Sequence, residues 1–198
     1  MAQSRGRDLL NEVLGQDFRG VLVSDCLAIY DDITALQQKC YAHHHKAIRQ
    51  AKDLHPQKGA GFLGEVAALL HAAVALQKER AELEPATFSD LRQALQRKAM
   101  QLLELPRSEP NEESVRNRLH KQRDHLFTFL DHDGVEATNN LAERQLRPAV
   151  IARKISCGNK TPKGARTWQI LTSLAATCAQ RATSFIAALA RAAPLQAR

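Results

Sequence analysis

A chain of 198 residues that is 44% hydrophobic has room for one domain with a full core, or one domain carrying an insert, and this excludes a disordered tail. Aromatics make up only 5% while Ala and Leu abound, which argues against a β-sandwich and for packed helices. Lys and Arg number 28 against 21 acids, a net charge of +7, so a polyanion is a suitable partner, although a soluble protein can be this basic without one.

Residues 1–17 read as a polar lead-in with one short helical stretch, "RDLLNEVLG". "GVLVSD" follows, a continuous apolar run bounded by Gly20 and Ser24-Asp25, which is the pattern of a strand buried on both faces. "TALQQKCYAHHHKAIRQAKDL" carries apolar residues at helical spacing, with Thr34 placed to cap its start and "HPQKGAG" as its breaker. Three helices are then expected: "FLGEVAALLHAAVALQKERAEL", "TFSDLRQALQRKAMQLLEL", and "EPNEESVRNRLHKQRDHLFTFL" with Pro110 in its first turn. "DHDGVEAT" breaks the pattern at Asp133-Gly134. Thr138, Asn139 or Asn140 can cap the next helix, "LAERQLRPAVIARK", which Pro148 should kink or loosen. After the loop "SCGNKTPKG" come an Ala-rich helix from about Ala165 to Gln180, anchored by Trp168, and a last one in "TSFIAALARAA", capped by Thr183 or Ser184.

Cys26, Cys40, Cys157 and Cys178 follow no regular spacing, and "MAQSRGRDLL" lacks the apolar core of a signal peptide, so a reducing cytosol is the expected location. The longest helical apolar stretch, "VAALLHAAVAL", is too short for a bilayer that needs roughly 20 apolar residues per helix. Cys40 and His43 have the C-x-x-H spacing of half a zinc site. No second pair stands at ligand spacing, which favours a structural or near-site role over zinc. His55, His71, His120, His125 and His132 are scattered and read as core-edge or surface residues. "SCGNKTPKG" lacks the full phosphate-loop pattern, but Lys160, Lys163 and Arg166 suit it to touching DNA.

The residues that suggest chemistry lie on either side of the three helices. Asp25 ends the apolar run. Far downstream Glu143 sits in the first turns of a helix, with Arg147 and Lys154 near its face and Arg144 and Arg153 flanking them. Carboxylates grouped with cations suit metal-assisted phosphoryl transfer, since Mg²⁺ takes hard oxygen ligands and the cations hold phosphates. On spacing alone, a solvated helix with i, i+4 ion pairs fits equally well.

"GVLVSDCLAIYDD", "QQKCYAH", "HDGVEATNNLAERQLRPAVIARKISCG" and the Ala-rich tail, in that order, resemble the C-terminal part of a transposase of the insertion sequence 66 family. The likeness runs from about Phe18 to the end, and the "NNLAER-x-LRP" and "RK" block is its most specific part. The resemblance implies a DDE transposase with a ribonuclease H-like fold, in which two Asp and one Glu bind two divalent metals. Asp25 then matches the second Asp and Glu143 the final Glu, with Mg²⁺ or Mn²⁺ as cofactor. Arg144, Arg147, Arg153 and Lys154 would grip the phosphates of transposon-end or target DNA, and the protein would sit on the nucleoid when bound. Asp31 and Asp32 remain loop acids, and Tyr30 a packing residue. Several DDE transposases also carry a C-x-x-H after the second Asp, matching Cys40 and His43.

The fold class expected is mainly α with a short β element, a truncated ribonuclease H-like (α/β) core interrupted by a helical insertion. Residues 18–54 and 132–198 would form the partial core, and residues 55–131 the insertion. Three strands and a helix ahead of the second Asp need upward of about 40 residues. Only 24 precede Asp25, and Asp8 and Asp17 end no convincing strand. The first catalytic Asp is therefore expected to be absent and the chain inactive alone, the alternatives being a DNA-binding remnant, a partner of an intact transposase or of a second copy, and a helical interaction protein with no nucleic-acid role.

Overall fold

The computed structural model describes residues 7–15, 17–54 and 61–192. The segment expected to break the chain after the second helix, His55 included, lies outside the described residues. The fold is mostly helical with one small parallel sheet. In chain order the elements are α1 (Arg7–Leu14), β1 (Leu22–Ser24), β2 (Gln37–Lys39), α2 (Tyr41–Leu54), α3 (Phe62–Glu79), α4 (Pro85–Glu104), α5 (Pro110–Lys121), α6 (Thr128–Asp131), α7 (Asn140–Ile155), α8 (Pro162–Gln180) and α9 (Phe185–Ala192). Short 3₁₀ turns at Ala28–Tyr30 and Arg123–His125 complete them. The chain divides into two compact units, one ending at Asn140 and the other running from Leu141 onward.

The core of the first unit follows from helical periodicity. α3 buries Leu63, Val66, Leu70 and Ala73 at intervals of three and four, the spacing that keeps side chains on one face. α4, which starts with Pro85 at its first turn, packs along it with Phe88, Ala99 and Leu103, and α5 adds Val115 and Leu119. The same core takes Tyr41, Ile48 and Ala51 from α2, and Phe129 against the edge of Tyr41 with ring centres 5.2 Å apart. Arg107 and Arg80 lay guanidinium groups over Phe62 and Phe88 at 4.3 and 5.0 Å, covering apolar rings at the core's rim.

Two expectations are corrected here. The segment read as a helix from Thr34 onward is β2 first and helix only from Tyr41. Gln37–Lys39 pair in parallel with Leu22–Ser24, in the register Leu22 with Gln37 and Ser24 with Lys39. All three of these polar side chains are buried, and the fold supplies their partners. Gln38 Nε2 donates to the Leu126 carbonyl at 3.2 Å while its Oε1 accepts from Phe129 N at 3.0 Å, and Gln37 Nε2 donates to the carbonyls of Tyr30 and Ile33. β1 is correspondingly half-buried at Leu22 and Val23, not enclosed on both faces.

The single helix expected over Glu109 to Leu130 is three pieces. α5 stops at Lys121 because Gln122 leaves helical geometry and turns inward, donating from Nε2 to Asp31 Oδ1 at 3.0 Å. Leu126 to Leu130 are then buried without interruption, which one face of a straight helix cannot achieve.

The second unit is built from α7, α8 and α9. α7 runs through Pro148 as one continuous helix. It ends in a left-handed turn, with Cys157 at φ 57° and Gly158 at φ 86°, and Gly158 N donates back to the Arg153 carbonyl at 2.9 Å. Thr161 then caps α8, its Oγ1 accepting from Gly164 N at 3.0 Å, with Pro162 in the first turn. The helix therefore opens three residues earlier than the Ala-rich pattern suggests. Ser184 Oγ accepts from Ala187 N at 3.2 Å and caps the start of α9.

Candidate functional site

Asp25 directly follows β1, at the carboxyl end of a parallel pair. In open α/β sheets this is the side where ligands gather. Its Oδ1 accepts from Leu27 N at 3.1 Å, the local turn that Asp side chains make with the backbone two residues on. The acid is thus a turn former by geometry, fixed at a strand end by that bond.

The register of the sheet brings a lysine beside it. Lys39 is fully buried on β2, opposite Ser24; its Nζ donates to Ser24 Oγ at 3.4 Å and lies 5.5 Å from the centre of the Tyr30 ring. Burial pushes this ammonium below its ordinary pKa, and the negative charges of Asp31 and Asp25 oppose that shift. Tyr30 therefore packs, as expected, and Asp31 is a structural acid, bound by Lys121 Nζ at 2.6 Å and by Gln122.

Cys26 Sγ lies 3.7 Å from His44 Nε2 on α2. His44 is buried, and its Nδ1 has no hydrogen-bond partner among the described residues. Burial pushes its pKa down to about 3, and the positive charges of Arg118, His45, His43 and Lys39 add to the shift. Burial also raises the Cys26 thiol. Cys40 is buried at the end of β2, with its N donating to the Ser24 carbonyl at 2.8 Å and its Sγ accepting from Asn139 N at 3.4 Å. Tyr41 N donates to the Ala137 carbonyl at 2.9 Å. The C-x-x-H segment thus clamps residues 137–139 to the strand ends, where the chain leaves the first unit, and half-buried His43 lies one turn further along. The proximity of Cys26 to His44 and of Lys39 to Ser24 was not legible in the sequence, since it depends on how the strands and α2 come together.

Mg²⁺ takes a few carboxylate oxygens and keeps water on its other positions, so Asp25 and Glu143 are donors of the right chemistry. Among the described residues, however, no three His, Cys, Asp or Glu side chains are grouped to hold a metal ion. Asp25 belongs to the first unit, beside a buried ammonium, and Glu143 to the second.

α7 carries the remaining candidates. Glu143, Arg144, Arg147, Arg153 and Lys154 are all exposed, and the helix buries none of its residues. Glu143 stands four residues before Arg147, the favourable order for an acid and a base along a helix. A stronger signal lies in the charge of each unit. From Leu141 onward there are ten Lys and Arg against one acid, Glu143, whereas residues 1–140 hold 18 against 20. All of the protein's excess positive charge therefore falls in the second unit, including exposed Lys160, Lys163 and Arg166 in and after the α7–α8 loop. Summing charge by segment would have shown this from sequence alone.

No described helix is long and apolar enough to cross a membrane. No curated protein and no solved structure matches the chain. The family model described as "Transposase IS66 family" matches residues 1–167, beginning earlier than Phe18 and ending before most of the Ala-rich α8 and all of α9. With that match spanning most of the 198 residues, Asp25, the C-x-x-H segment and the whole of α7 included, the chain belongs to the IS66 transposase family.

Proposed function

We propose that the chain acts in DNA transposition by holding DNA on the unit that begins at Leu141, with Arg144, Arg147, Arg153 and Lys154 on phosphates. The partition of charge carries this reading. Ten cations against one acid form a surface that gains counterion-release free energy on any duplex, while the near-neutral first unit does not. Family membership agrees, since transposases act on DNA.

Asp25 and Glu143 are proposed as two of the carboxylates of a Mg²⁺- or Mn²⁺-dependent cleavage and strand-transfer site with a ribonuclease H-like core. When bound, such a metal stabilises the attacking or leaving oxygen at phosphorus. Two observations support an assembly completed by further chain, from an intact transposase or a second copy. A two-stranded parallel pair is a fragment by itself, because parallel strands normally lie inside larger, covered sheets. Asp8 lies on α1 and Asp17 in a turn before β1, so neither is held at a strand end as Asp25 is.

This chain alone is expected to bind a matching transposon end but not to cut it in Mg²⁺ or Mn²⁺, and to gain cutting when a fragment bearing a strand-end Asp is added. Cutting by the chain alone would refute the incomplete site. The second reading, a DNA-binding remnant with no catalytic part, is favoured by the buried Lys39 beside Asp25, and failure of the added fragment to restore cutting would select it.

A further inference from the structure

Trp168 is the only tryptophan in the chain. It lies on the second turn from the capped start of α8, half-buried, in a helix whose one buried residue is Cys178. With Asn159, Thr161, Lys163, Thr167 and Leu171 it lines an open recess of about 400 Å³ wholly within the second unit. The backbone amide at Gly164 is already satisfied by Thr161, so the recess is not simply a helix end awaiting an anion. Its lining combines the apolar residues Trp168 and Leu171 with the cation Lys163 and the side-chain amide of Asn159.

We propose that this recess binds an unpaired DNA nucleotide, its base stacked on Trp168 and its phosphate held by Lys163. The inference rests on the reading that the second unit holds DNA and adds what that unit can distinguish. Charge complementarity selects the occupant: Lys163 lines the recess, and Lys160 and Arg166, each next in sequence to one of its lining residues, are exposed, in a unit with a single acid. An apolar peptide would leave those cations without partners, whereas a nucleotide matches both the ring and the charge. The base must be unpaired, because within a duplex both its faces are covered by neighbouring bases, and stacking on an aromatic side chain needs one face free. Such stacking tolerates any base, so the recess favours single strands or frayed ends without reading sequence.

The lone indole makes the test direct. The full chain is titrated at low salt with a 20-nucleotide oligothymidylate, following Trp168 emission and, in parallel, the anisotropy of a labelled copy. Quenching that saturates with the same Kd as the anisotropy is expected. Trp168→Leu should weaken binding about tenfold, and Trp168→Phe, which keeps an aromatic face, should lose less. Circular dichroism confirms that both variants keep their helices, and the wild-type quench stands without them. Binding by anisotropy with Trp168 emission unchanged would overturn the stacking site while leaving DNA binding by α7 intact. No binding of this strand or of a duplex at low salt would overturn both readings.

Discussion

Replacing Arg144, Arg147, Arg153 and Lys154 together by Ala is expected to weaken duplex binding by about 10²- to 10⁴-fold near 0.1 M salt. The plot of log K against log salt should become shallower by about 3 to 4. Each cation that neutralises a phosphate releases roughly 0.9 of a counterion, so losing four contacts removes a matching share of both affinity and salt dependence. The fold should tolerate the change. All four side chains are exposed on α7, Ala is the strongest helix former, and losing the Glu143 to Arg147 spacing costs only a few tenths of a kcal/mol. Arg97 and Lys98, exposed on α4 of the near-neutral first unit, provide the control. Their joint replacement by Ala should leave the salt slope unchanged. If both variants alter it equally, binding is a diffuse effect of net charge and not a property of α7.

Acidification is expected to destabilise the first unit through His44. An unfolded histidine takes up a proton near pH 6.5, whereas His44 in the fold resists until about pH 3. Between those values the unfolded state binds more protons, so stability falls as pH falls, by up to about 1.4 kcal/mol per unit, and is fully present above pH 6.5. Urea unfolding at pH 7.5 and 5.5 should therefore differ by about 1.4 kcal/mol from this group alone. His44→Leu should remove that difference. At neutral pH the substitution is expected to cost little, since it exchanges a buried imidazole with an unpartnered Nδ1 for an apolar side chain of similar size. Parallel pH curves for the two proteins would show that His44 is not held neutral by its surroundings.

How much of this was legible in the sequence depended on the range of the interactions involved. α3 and α4 were legible because their apolar stripes repeat every three or four residues, and the start of α9 because Ser184 is a local cap. The strand end at Asp25 was legible for the same reason, as its turn closes within two residues. β2 was not, because burial of Gln37 and Gln38 depends on Thr128, Leu126 and Phe129, some 90 positions away. The break at Gln122 depends on Asp31, equally far along the chain. At the candidate site, α7's cations were visible as a motif, but Lys39 beside Ser24 and Cys26 beside His44 depend on strand register, which no local pattern encodes.

Cross-linking the full chain to a duplex and mapping the attached peptides by mass spectrometry would show directly where the DNA lies. Cross-links should concentrate between Arg144 and Arg166, with α3, α4 and α5 nearly empty. Peptides from residues 62–121 dominating the map, with α7 and its following loop unmarked, would contradict the assignment of DNA to the basic unit.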